Sequence, residues 1–227
     1  MSKNQDGHQH KDGYSAYLGV KGAALFQKLL EALLRIVYPL HPNTVTLISL
    51  LFAIIAASLI ACGGVGLLLA AAFVWLNLVF DLLDGILARR KGLASPQGDY
   101  LDKVVDRLAD IILPVAIGLA NPLNPYPGFV CAIALLLSSY LRLFHAQAVA
   151  AGKYGYQTFA GRAGVLITMF WILIVQGIAS HWGYASFTLF QKPFAILDFW
   201  AMAITMITLK SCWSVARDTF AQLANRR

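Results

Sequence analysis

An all-α integral membrane protein, with six transmembrane helices preceded by an N-terminal amphipathic interfacial helix, is the fold class this sequence predicts. Three observations predict it. Hydrophobic residues make up 59% of the 227 residues and charged residues only 13%, whereas a soluble domain is about one-quarter charged. Six apolar runs approach the length of about 20 residues that a helix needs to cross a bilayer. Lys and Arg crowd one set of connections and avoid the other. The net charge of +7 therefore reads as membrane orientation, and no nucleic-acid partner is expected. Cys62, Cys131 and Cys212 are odd in number and lie in separate apolar runs, so they read as packing residues.

Residues 1–13 are polar and read as a disordered tail. Residues 14–38 read as the amphipathic interfacial helix. Leu18, Leu25, Leu29, Leu33 and Val37 recur on one face, while Lys21, Lys28 and Arg35 recur on another; basic residues can then face lipid phosphates. Glu31 and Arg35 are spaced to pair at i,i+4. Residues 39–227 form the six-helix membrane domain. Pro42 breaks the chain, and Asn43 or Thr44 can cap the first span. The spans are expected at about 45–61, 66–87, 100–119, 129–150, 163–181 and 194–215. The first long apolar run follows a polar start, so no cleavable signal peptide is expected.

The links at 62–66 and 121–128 carry no Lys or Arg, and the link at 181–193 has only Lys192. Arg89, Arg90, Lys91, Lys153, Arg162, Arg217, Arg226 and Arg227 lie on the other side with the N-terminal basic residues. That side, with both termini, is expected to be cytoplasmic; in a bacterial or archaeal cell the membrane would be the inner or plasma membrane.

Residues 80–110 hold six of the eleven acidic residues. An unpaired aspartate at the centre of a membrane helix costs about 2.5–3.5 kcal/mol on insertion scales, so the cluster needs a reason. Asp81 and Asp84 lie about 60° apart on a helix and can share a metal. Gly85 and Ala88 each follow one of them by four residues, leaving room for a bulky ligand, and Arg89 continues that face with a fork suited to phosphate. In the next helix Gly98, Asp102 and Asp106 repeat at four. The two helices run antiparallel, so four carboxylates can converge at one end of the bundle. Oxygen ligands without Cys or His suit Mg2+ or Mn2+ (Ca2+ is a third candidate), and two ions would suit phosphoryl chemistry. Asp99 and Asp110 instead read as charges neutralised by Lys103 and Arg107, or as outer support.

Residues 81–106 spell D-x2-D-G-x2-A-R-x8-G-x3-D-x3-D. This resembles the motif of the CDP-alcohol phosphatidyltransferase family (class I) at every specified position. The surface helix, the "PNTVT" stretch and the six spans resemble the family too. The resemblance implies transfer of a phosphatidyl-type group from a CDP-linked lipid, such as CDP-diacylglycerol, to an alcohol, with release of CMP. It implies that Asp81, Asp84 and Asp102 ligate metal, and that Asp106 joins the metal site and acts as general base. Gly85, Ala88, Arg89 and Gly98 are implied to bind the nucleotide, with Asn43 and Thr46 assisting. It also implies a homodimer, with membrane lipids around it.

The acceptor is open between inositol phosphate and glycerol phosphate, both phosphorylated polyols. "SSYLR" is similar to a Ser-Tyr-x-basic stretch in family members that use inositol phosphate, but "GRAGVLI" lacks their usual charged repeats. Ser139, Arg142, Lys153 and Arg162 are the candidate acceptor-binding residues. The competing class is a divalent-cation transporter using the acidic cluster as its permeation site. It would call for polar residues through the membrane depth, whereas these acids crowd one end.

Overall fold

The computed structural model describes residue 28 and residues 30–149, 162–184, 186–189 and 191–224, with backbone alone for 146–149. The expected tail at 1–13, most of the surface helix and Lys153 lie outside the described residues. Among the described residues the chain forms a short helical segment α1 (residues 30–37) and six long helices. These are α2 (Pro42–Cys62), α3 (Gly66–Arg90), α4 (Pro96–Ala120), α5 (Tyr126–Val149), α6 (Arg162–His181) and α7 (Ile196–Ala224).

In α1 the chain buries Leu34 and Val37 against Val45 of α2 and Val79, Leu83 and Leu87 of α3. Glu31 and Arg35 face outward and form no ion pair with each other. This segment is thus docked beside the start of α2 and the motif-bearing end of α3. The entry to α2 differs from expectation. His41, rather than Asn43 or Thr44, is the N-cap: its ring Nδ1 accepts from the Asn43 N–H at 3.3 Å. Pro42 then occupies the first turn, where its missing N–H leaves no bond unmade. Asn43 and Thr46 are therefore inside the helix, on its first turns.

Five of the long helices, α2, α3, α5, α6 and α7, are long and apolar enough to cross a membrane. The sixth, α4, equals α3 in length at 25 residues but carries Asp99, Asp102, Lys103, Asp106, Arg107 and Asp110 on its stretch 99–110. Only one side of that stretch is shielded by its neighbours: Asp106 and Asp110 are largely buried, whereas Asp99 and Lys103 are exposed. Asp106 and Asp110 find charged partners there in Arg162 and Arg107, as polar groups removed from water must.

Two cores hold the bundle. The larger joins α2, α3, α4, α5, α6 and α7 through residues such as Ile60, Val74, Leu113, Cys131, Leu173 and Ala201. The smaller is the α1–α2–α3 cluster at the motif end. Small residues let helices approach. A Cβ on Gly128 of α5 would lie 2.5 Å from the Pro114 carbonyl oxygen of α4, and one on Gly118 would lie 2.8 Å from Phe129. Pro114 also lacks the N–H that would bond the carbonyl four residues back. The close α4–α5 crossing sets where Arg107 meets α5.

At the opposite end, α7 begins later and runs farther than the expected 194–215. Residues Phe187–Leu189 and Lys192–Phe194 form a short antiparallel hairpin, β1 and β2, turned at Gln191 with φ 62. The segment read as a link thus has its own backbone pairing, and the helix starts at Ile196. Asp198, almost fully buried at 1% exposure, accepts from the Ala195 N–H at 2.8 Å and from Asn121 Nδ2 at 2.9 Å. It caps α7 and ties it to the end of α4, remote from the motif.

Candidate active site

The motif is carried by the end of α3 and the start of α4. A five-residue link at 91–95 joins them, and Ser95 caps α4 by accepting from the Gly98 N–H at 3.1 Å. Pro96 again fills the first turn. This tight return puts Gly98 against the start of α2. A Cβ there would lie 3.3 Å from Asn43 Oδ1 and 3.4 Å from Ser95 Oγ. Gly98 therefore permits the approach of α4 to α2. Gly85 is different: a Cβ would meet only the Arg89 guanidinium, at 3.6 Å. Among the described residues no packing demands glycine at 85, so its missing side chain leaves room for something else.

That room is a cavity of about 190 Å³. Asn43, Thr46, Gly85, Ala88, Arg89 and Gly98 all line it, with Asp84 and Asp102 at its wall. Six residues picked from three separate stretches of sequence as nucleotide contacts thus face one space. With Ser95 and Asp99 also at the wall, the lining combines small residues, the neutral polar side chains of Asn43, Thr46 and Ser95, a guanidinium and three carboxylates.

Beside it, Asp81, Asp102 and Asp106 each offer an oxygen, and these oxygens lie within 4.8 Å of one another. Asp84 stands apart from that group of three. It is 5% exposed, it lines the cavity together with Asp102, and its Oδ2 has no hydrogen-bond partner among the described residues. A buried carboxylate oxygen without a donor is costly unless a cation meets it. The donor set is all carboxylate, which suits a hard divalent ion. The residues present therefore fit metal: Asp81, Asp102 and Asp106 as one set, and Asp84 with Asp102 on the cavity side.

Two of the acceptor candidates, Ser139 and Arg162, meet charged side chains of α4 directly. Arg162, at the first position of α6, does not stand clear of the carboxylates. Its Nη1 lies 2.5 Å from Asp81 Oδ1 and 2.6 Å from Asp106 Oδ1, and its Nε lies 3.5 Å from Asp110 Oδ1. Ser139 of α5 donates to the Leu135 carbonyl at 3.0 Å and accepts from Arg107 Nη1 at 2.6 Å. Arg142 lies one turn farther along α5, within electrostatic reach of Arg107 and Asp110.

Two residues gain a place that sequence spacing does not give them. Spacing assigns Arg107 only the neutralising of acid. It does pair with Asp110 at 2.8 Å, and it also binds Ser139, so it belongs to the polar cluster between α4 and α5. Asp110 bridges Arg107 and Arg162. The signal available in the sequence is Arg107 directly after Asp106. Its partner lies 32 residues away, out of reach of any local pattern. Asp99 matches expectation, pairing with Lys103 at 2.5 Å on the exposed surface.

Comparisons with known proteins agree with this architecture. The model of the CDP-alcohol phosphatidyltransferase family matches residues 39–211. A phosphatidylinositol phosphate synthase of Mycobacterium marinum is 29% identical over 192 residues, covering 82% of this chain and 76% of its own length. A bifunctional IPC transferase and DIPP synthase of Rubrobacter xylanophilus is 39% identical over 106 residues. That match covers 46% of this chain but only 24% of the bifunctional enzyme, so the chain spans about a quarter of that protein. Among solved structures, phosphatidylinositol phosphate synthase of Mycobacterium tuberculosis with CDP-DAG bound superposes with a TM-score of 0.62 at 23% identity. The superposition covers 85% of this chain and 92% of the other, and at that identity the likeness is one of fold. With its motif complete and the family match spanning most of its length, the chain belongs to the CDP-alcohol phosphatidyltransferase family, enzymes of the membrane that build phospholipids.

Proposed function

We propose that this enzyme transfers the phosphatidyl group of CDP-diacylglycerol to inositol phosphate and releases CMP. The observation that carries the reading is the single cavity lined by Asn43, Thr46, Gly85, Ala88, Arg89 and Gly98, set against three converging carboxylates. Small residues admit the nucleotide, and Arg89 meets its phosphates. Asp81, Asp84, Asp102 and Asp106 would hold Mg2+ or Mn2+, two ions in our reading. When bound, the metal neutralises the diphosphate and stabilises CMP as it leaves.

Asp106 acts as general base. It takes the proton of the acceptor hydroxyl as that oxygen attacks the lipid-side β-phosphorus. The bond to the CMP oxygen breaks, and the lipid phosphate is then joined to the acceptor. Arg107, Ser139, Arg142 and Arg162, with Lys153, receive the acceptor's phosphate; guanidinium forks match its geometry. Two relatives named phosphatidylinositol phosphate synthases, at 29% and 31% identity, favour inositol phosphate over glycerol phosphate.

In this reading α4 is a sheltered sixth span, and the motif opens to the cytoplasm beside Arg89, Arg90 and Lys91. A lipid donor can enter from the bilayer and a soluble acceptor from the cytoplasm. A homodimer is part of this reading. The test is CMP release by the purified protein with Mg2+ and CDP-diacylglycerol, across inositol phosphate, glycerol phosphate, inositol and serine. Turnover is expected with inositol phosphate. Turnover with glycerol phosphate alone would move the assignment to that acceptor, and no CMP release with any of them would end the reading.

A further inference from the structure

We propose that Arg162 and a divalent cation compete for the same carboxylates, so that metal loading frees the Arg162 guanidinium for the acceptor's anion. This deepens the transferase reading and rests on Asp81 and Asp106 being metal ligands. Arg162 comes from α6, Asp81 from α3 and Asp106 from α4, so the contact joins three elements. One nitrogen, Nη1, reaches both Asp81 Oδ1 at 2.5 Å and Asp106 Oδ1 at 2.6 Å. These are two of the three carboxylates that come within 4.8 Å of one another. The Arg162 side chain is 13% exposed, so water screens it little. A dication held by those carboxylates would sit beside a guanidinium of like charge in a medium of low dielectric, and the two exclude each other.

Displacement would not cast Arg162 loose. Its Nε lies 3.5 Å from Asp110 Oδ1, and Asp110 is outside the group of three. Asp110 also holds Arg107 at 2.8 Å, and Arg107 holds Ser139 at 2.6 Å. Asp110 is thus a positioning residue. It keeps the released guanidinium at the edge of the site, next to a second guanidinium and a hydroxyl. An anionic phosphate would find both cations only after metal has taken their competitor's place. Metal therefore binds before acceptor.

The experiment measures Mn2+ binding to the full chain in lipid nanodiscs by electron paramagnetic resonance of free Mn2+, with neither CDP-lipid nor acceptor present. Removing a cation from direct contact with two ligands should tighten Mn2+ binding, by about tenfold or more in Arg162→Gln. Equal or weaker binding in that variant overturns the competition. A second arm needs no substitution. In the wild-type protein, Mn2+ should speed modification of Arg162 by phenylglyoxal several-fold over the chelator-treated protein, read on the Arg162 peptide by mass spectrometry. Equal rates with Mn2+ bound overturn the proposal. Neither arm uses acceptor or turnover. Failure of the competition with Mn2+ still bound therefore leaves the transferase reading intact, whereas absence of Mn2+ binding to the wild type removes both.

Discussion

Asp106 and Gly85 show how differently single residues of one motif are constrained. Asp106 is held by its Arg162 ion pair and by the nearness of Asp81 and Asp102. Asp106→Asn keeps the shape but removes the proton acceptor and one charge. Turnover should fall by roughly 10²–10⁴-fold, while CMP binding, followed by calorimetry, largely survives. Retained wild-type turnover would remove Asp106 as the base. Gly85 is the reverse case: among the described residues nothing crowds its missing side chain beyond the flexible Arg89 tip. Gly85→Ala should leave thermal stability unchanged, or raise it by up to about 1 kcal/mol through helix propensity. The KM for CDP-diacylglycerol should nonetheless rise. A normal KM in that variant would mean the nucleotide does not pass this face. Both positions were legible in the sequence, because spacings of three and four on one helix fix a face without reference to anything distant.

Pairs of elements were harder to read. Antiparallel α3 and α4 could be foreseen from the short link, and their meeting carboxylates with them. The division among those carboxylates could not. Asp81, Asp102 and Asp106 form one group, while Asp84 turns to the cavity with Asp102. The rotation of α4 against α3 decides this, and no spacing within either helix encodes it. The α4–α5 contact carries a prediction of its own. Arg107 on α4 and Ser139 on α5 are joined at 2.6 Å. A charge-assisted hydrogen bond to a phosphate contributes about 1.5–3 kcal/mol. Arg107→Ala should therefore raise the acceptor KM about 10- to 100-fold with little change in the KM for CDP-diacylglycerol. Equal effects on both substrates would assign Arg107 to general packing instead. The hairpin before α7 leaves no signal in the sequence for a related reason: its three-residue strands are too short for alternation to stand out from an apolar link.

At the scale of the whole molecule, the two ends of the bundle differ. One holds the carboxylates and the basic residues. The other holds the hairpin, the Asp198–Asn121 tie and the glycine link at Gly63 and Gly64, both with positive φ. Cys62 is exposed at that second end, whereas Cys131 and Cys212 are buried. If the motif faces the cytoplasm, a membrane-impermeant maleimide should label Cys62 from outside intact cells after the outer barrier is permeabilised. Labelling of Cys62 only from the cytoplasmic side would invert the orientation. The sequence by itself determined an oily helical chain and the end at which its acids gather, since composition and helical register are local properties; the resemblance of its motif, rather than register, pointed to Asn43 and Thr46. Only the tertiary structure decided that Arg162 sits among the carboxylates, that Asp110 links it to Arg107, and which three acids converge. Those contacts join α3, α4, α5 and α6 across long stretches of chain. They depend on how closely the helices cross at Pro114, Gly118 and Gly128, a matter of packing that periodicity does not reach.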